Sequence, residues 1–141
     1  MWQMLGGIEY YSFHIYGKSY IISPMNHTPD SLFSSLANNT RLRCLMLLIR
    51  YEELCVCELT HALGISQPHV SRHLALLREG GLVTDRRAGL WIYYRIDPQL
   101  PTWVTKVLRE VFVGAGDQPP YRDDAWALDE MPNRRNAPRC A

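Results

Sequence analysis

The 141-residue chain has almost no net charge. Its 15 Lys and Arg against 14 Asp and Glu leave +1. That excludes a polycation coating nucleic acid over its whole surface, so any such role must rest on local charge. Cysteine is scarce, with 4 residues: Cys44, Cys55, Cys57 and Cys140. So few, with no export signal, point to a reducing cytoplasmic setting and to thiol chemistry rather than a disulfide framework. No apolar run approaches the roughly 18 residues that span a bilayer, so a membrane partner is not expected. A glycine-rich phosphate loop is missing, as is a general base placed to serve a nucleophile. Both absences argue against an enzyme and against an organic cofactor. There is no internal repeat. The 47% hydrophobic and 21% charged residues are ordinary for a globular protein, and the length suits one domain.

The ends differ from the middle. Residues 1–24 are rich in Tyr, Ile and Gly, including Tyr10, Tyr11, Tyr16 and Tyr20. They read as an N-terminal extension upstream of Met25, outside the native protein if translation starts there. Residues 114–141 contain Gly114, Gly116, Pro119, Pro120, Pro132 and Pro138 among mixed charges. This composition predicts a flexible C-terminal tail.

Residues 25–113 carry the organised pattern. Leu32, Phe33 and Leu36 mark a short helix opened by Pro29. Leu42, Leu45, Met46 and Ile49 repeat at the spacing of an amphipathic helix, with Asn39 as its N-cap. A third helix is predicted over 55–63, stopped by Gly64. Ser66 caps a fourth, with Pro68 in its first turn and Val70, Leu74 and Leu77 on one face. Two strand-like runs, 82–87 and 90–96, meet at Ala88-Gly89. A last helix follows Pro98 with the apolar stripe Leu100, Val104, Val107, Leu108 and Val111. The expected fold class is mainly α (α+β): a winged helix-turn-helix with a two-stranded β-wing.

Charge and thiols both concentrate there. Between Ser66 and Arg95, five arginines oppose Glu79 and Asp85. Gln67, His69, Ser71, Arg72 and His73 cluster in the first half of the fourth helix, the part of a recognition helix that meets base edges. Gln and Arg can pair bidentately with adenine and guanine, and Ser and His can reach bases or phosphates. Arg86, Arg87 and Arg95 lie on the hairpin and suit phosphate or minor-groove contact. Just upstream, Glu53-Leu54-Cys55-Val56-Cys57-Glu58-Leu59 places two soft thiolates, suited to thiophilic ions, on the element supporting that helix. On an ideal helix, Cys55 and Cys57 would point about 200° apart. Gathering both on one ion would unwind the helix start, so the pattern reads as a sensor coupled to DNA binding.

Residues 66–74 (Ser-Gln-Pro-His-Val-Ser-Arg-His-Leu) and 76–83 (Leu-Leu-Arg-Glu-Gly-Gly-Leu-Val) resemble the arsenic-repressor (ArsR/SmtB) family of bacterial regulators. Residues 40–43 and 91–96 fit its second helix and wing, and 53–59 resembles the thiol signature of its arsenite- and antimonite-responsive branch. The resemblance covers about residues 30–112. It implies a cytoplasmic homodimer that represses an arsenic-resistance operon through a palindromic operator and is released when As(III) or Sb(III) binds Cys55 and Cys57. The family often has a third cysteine where this chain has Thr60; Cys44 and Cys140 are the substitutes for a third ligand, with water or a small thiol also able to serve. His61, four residues after Cys57, leaves room for zinc or cadmium, and thiol oxidation is a further alternative signal. His69 and His73 share the spacing of a metal pair, although their helix face is already assigned to DNA. No His or Cys lies between Pro98 and Val113, so the zinc site that some relatives carry there has no ligands here.

If residues 1–24 are an upstream extension, mass spectrometry of the natively expressed protein yields an N-terminus at or near Met25. Recovery of a peptide containing Tyr10 and Tyr11 disproves it.

Overall fold

The computed structural model describes residues 2–5, 8–15, 18–22 and 27–134, the first three stretches as backbone. β-forming composition near the N-terminus becomes an antiparallel meander of β1 (Trp2–Leu5), β2 (Ile8–Ile15) and β3 (Lys18–Ile22). Its registers pair Trp2 with Tyr11 and Tyr11 with Ile22.

Helix α1 (Pro29–Leu36) starts at a capping box in which Thr28 and Ser31 satisfy each other's backbone N–H. Helix α2 (Asn39–Tyr51) is capped by Asn38, whose side chain accepts from the Arg41 amide at 3.1 Å. The cap is thus one residue before the expected Asn39. Glu52 ends α2 with φ 66°, a conformation costly for a non-glycine residue and held only where surrounding structure imposes it. It turns the chain into β4 (Glu53–Cys55), and α3 (Val56–Leu63) follows at once. Gly64, with φ 64°, closes α3 in the left-handed region. Next come α4 (Gln67–Glu79), β5 (Val83–Ala88), β6 (Trp91–Ile96) and α5 (Thr102–Ala115).

Two expectations need correction. The wing has three strands, in the order β4-β6-β5. Strand β4 is too short to carry a strand pattern of its own and exists because Glu53, Leu54 and Cys55 pair with Arg95, Tyr94 and Tyr93 of β6. Residues 114–141 also do not behave as a flexible tail throughout. Helix α5 continues to Ala115, and α6 (Tyr121–Asp129) docks on α2 and α3. Ala125 and Leu128 enter the core, and the Arg43 guanidinium grips the buried Asp124 carboxylate through two bonds of 2.6 and 2.8 Å. Composition missed this because a few apolar residues and a few ion pairs with distant residues supply the docking. Residues 135–141, with Cys140, lie outside the described set.

The core is continuous. Cys44, Leu45 and Leu48 of α2 meet Leu59 and Leu63 of α3, Val70, Leu74 and Leu77 of α4, and Tyr94 of β6. Each fully buried leucine contributes about 1.5–3 kcal/mol relative to exposure. Helix α5 adds Val104 and Leu108. Among the described residues no helix is long and apolar enough to cross a membrane.

Replacing the fully buried Leu128 by Ala should cost about 2–5 kcal/mol in urea unfolding, as for a packed core leucine. A loss within about 0.5 kcal/mol, the range of surface changes, would show that α6 is not part of the folded body.

Candidate DNA interface and thiol site

Burying Val70, Leu74 and Leu77 fixes which side of α4 faces out. Gln67 and Arg72 are exposed, and His69 and Ser71 are partly so. Arg72 lies 3.5 Å from His69 Nδ1. These four residues remain together as a polar face at the start of the helix.

His73 does not belong with them. It is buried, with its ring 4.7 Å from that of His69 and its Nδ1 3.4 Å from Arg41 Nη1. A guanidinium only donates, so this contact is a hydrogen bond when Nδ1 carries no proton. Burial foremost, then the His69, Arg41 and Arg72 charges, holds the His73 pKa below its ordinary value. The neutral ring is therefore a packing group between α4 and α2. Arg41 also donates to the carbonyls of Ser35 at 2.9 Å and Ser34 at 3.1 Å, tying α1 into the same junction.

On the wing, Arg87 and Arg95 are exposed. Arg86 is engaged: Nε and Nη2 donate to Glu53 at 2.8 and 2.6 Å, and the guanidinium lies 4.6 Å from the Tyr93 ring centre. The Arg86 hydrogen bonds hold the Glu53 carboxyl below its usual pKa. Arg86 thus joins β5 to the thiol-bearing strand β4 while its side chain stays exposed on the wing.

The thiol segment is a strand-to-helix junction. Cys55 is not a helical residue. It is the last residue of β4 and the N-cap of α3, with extended φ −84° and ψ 164°. The 200° helical separation therefore does not apply; what a shared ion must disturb is the cap and first turn of α3. The cap is reciprocal: the Cys55 sulfur accepts from the Glu58 backbone N–H, and Glu58 Oε2 accepts from the Cys55 N–H at 2.8 Å. Although a helix start favours a thiolate, burial dominates and raises the Cys55 pKa, with the Glu58 carboxylate adding to the rise and the backbone N–H donors of Glu58 and Cys57 opposing it.

Cys57 is half-buried in the first turn of α3 and is disulfide-bonded, whereas the scarcity of cysteine pointed to thiol chemistry rather than a disulfide framework. It offers a thiolate only after reduction. Cys44 is fully buried in α2, and burial pushes its thiol up to about 12. It belongs to the core and is removed as a third ligand. His61 is exposed. Among the described residues, no group of three or more His, Cys, Asp or Glu side chains is arranged to hold a metal ion. The junction itself therefore contributes two sulfurs. Sequence reasoning missed Glu58, although Cys55-x-x-Glu58 has the spacing of a capping box, and it missed Glu53 and Arg41.

Residues 38–85 match the family model described as bacterial regulatory protein, arsR family. The chain is 50% identical over 111 residues to the arsenic resistance transcriptional regulator ArsR1 of Pseudomonas putida, covering 79% of this chain and 85% of that one. The chain belongs to the ArsR family. It is also 51% identical over 84 residues to the arsenical resistance operon repressor of Escherichia coli, covering 60% of this chain and 72% of that one. A homodimeric winged helix-turn-helix DNA-binding domain from Mycobacterium bovis, a possible ArsR-family regulator, superimposes with a TM-score of 0.52 at 34% identity, covering 62% of this chain and 78% of that one. As an ArsR-family member the chain is a DNA-binding transcriptional regulator and not an enzyme.

Replacing Arg72 by Ala should weaken operator binding by about 1–3 kcal/mol, as for a lost bidentate base contact. Fluorescence anisotropy with labelled operator checks this, and unchanged affinity removes Arg72 from the interface.

Proposed function

We propose that this ArsR-family chain represses an arsenical-resistance operon and leaves its operator when As(III) or Sb(III) bridges Cys55 and Cys57. The observation that carries the reading is the placement of Cys55. It belongs at once to the wing sheet, opposite Tyr93, and to the cap of α3. The relatives' roles in arsenic and arsenical resistance support the choice of inducer.

The Cys57 disulfide is first opened by a small-molecule thiol reductant, which is itself oxidised to a disulfide, and the arsenic steps that follow involve no change of oxidation state. Each As–S bond forms as a hydroxyl of arsenous acid leaves as water with the thiol proton. With Cys57 reduced, two such exchanges join neighbouring sulfurs, and water, a small thiol or Cys140 completes the trigonal set. Drawing the sulfurs together pulls the Cys55 sulfur off the Glu58 N–H and reshapes the first turn of α3. Strand β4 is hydrogen-bonded to β6, and α3 shares the core with α4. Both DNA-facing parts therefore feel the change. Couplings of about 1–3 kcal/mol per ligand are typical, and two sites in a dimer would double that.

The functional unit of this proposal is a homodimer on a palindromic operator, since paired recognition helices read half-sites one helical turn apart. Phe33 of α1 and Trp103 and Val113 of α5 remain exposed and supply apolar surface for a partner subunit. A second reading, release by thiol oxidation, is favoured by the disulfide at Cys57.

One titration separates the readings. Reduced protein on labelled operator is challenged with arsenite, antimonite, cadmium, zinc and oxidant, alongside Cys55→Ser and Cys57→Ser. Both variants should retain operator affinity and ignore arsenite. Arsenite release that persists in both variants overturns the inducer site, and release by oxidant alone selects the redox reading.

A further inference from the structure

Among the described residues, the C-terminal segment reaches the thiol site through the Glu58 carboxylate. Glu58 Oε2 accepts from the Cys55 backbone N–H at 2.8 Å, while Glu58 Oε1 accepts from Arg134 Nε at 3.0 Å. The ion pair is largely sheltered, with the Arg134 and Glu58 side chains 22% and 12% exposed. Arg134 also lies 4.6 Å from the Tyr51 ring centre and 3.6 Å from Asp129 Oδ1. The Tyr51 hydroxyl in turn donates to Asp129 Oδ1 at 2.7 Å and to the Ala125 carbonyl at 3.1 Å. At the other end of α3, Arg43 holds Asp124 and donates to the Leu63 carbonyl at 3.1 Å. Residues 121–134 thus bracket α3 at both ends, and the bracket closes on the residue that caps Cys55.

We propose that Glu58 and Arg134 are positioning residues of the thiol site, and that residues 121–134 form a latch that holds the α3 cap shut in the DNA-binding state. The proposal rests on Cys55 and Cys57 being the inducer site. Closing two sulfurs on one ion reshapes the turn in which Glu58 sits, and its carboxylate cannot keep both the Cys55 N–H and Arg134 in place. A sheltered carboxylate that loses its partners is costly, so seating the inducer loosens the Arg134 end of the arm. By reciprocity, weakening the latch eases inducer binding.

The test uses the reduced full-length chain on operator DNA. Hydrogen–deuterium exchange of residues 121–134, with and without arsenite, reports latch opening directly, because local release raises amide exchange. The arsenite concentration for half-release of DNA is compared for wild type, Arg134→Gln and Arg134→Lys. Arsenite should increase exchange in 121–134. Arg134→Gln should lower the half-release concentration by about fivefold or more, the lower end of common allosteric couplings, and Arg134→Lys should stay near wild type because it keeps the charge. If arsenite releases DNA while either the exchange or the Arg134→Gln half-release concentration is unchanged, the latch is overturned and the inducer site stands. If arsenite fails to release the wild-type chain from DNA, both are overturned.

Discussion

The reciprocal cap between Cys55 and Glu58 ties the wing, helix α3 and the C-terminal segment to one another. An N-cap bond is worth only about 1 kcal/mol, yet this one joins three parts. The strand residue Cys55 is hydrogen-bonded into the wing, the helix it caps lies in the core beside the recognition helix, and the carboxylate that completes the cap is held by the C-terminal arm. With Cys55 only 8% exposed, there is little room for its sulfur to move alone. Close packing passes displacement to neighbours instead of absorbing it, so a change at this junction reaches α3 and the wing together.

The DNA side depends on a separation of faces. Burial of Val70, Leu74 and Leu77 leaves Gln67, His69, Ser71 and Arg72 outward, while His73 turns in and is held neutral beside Arg41. Arg86 stays exposed while paired to Glu53 and laid over Tyr93. His73, whose type also suits DNA contact, is therefore structural. The pairing of Arg86 with Glu53 also means that the wing's conformation and the thiol-bearing strand are mechanically one unit.

Much of the fold was legible because its helices advertise themselves by period. Leu42, Leu45, Met46 and Ile49 define α2, and Ser66 with Pro68 and the Val70, Leu74, Leu77 stripe defines α4. What escaped had no local signature. Glu53-Leu54-Cys55 is a strand only by virtue of the β6 residues beside it, so Cys55 read as helical when it is a cap. Residues 121–129 read as tail because their apolar content is slight; their order comes from Leu128 in a core built by distant residues and from Asp124 meeting Arg43 across 81 positions of sequence.

By itself the sequence determined the winged helix-turn-helix order, the outward polar start of α4, and the presence of two neighbouring thiols ahead of it. All three are set by side-chain type at short spacing, which local periodicity and capping express directly. Tertiary structure alone decided that Cys55 joins wing to helix, that Cys44 is sealed in the core, that His73 is an internal brace, that Arg86 meets Glu53 at the surface, and that the arm returns to Glu58. These depend on burial and on charges brought together from far along the chain, and neither quantity exists until the core has closed.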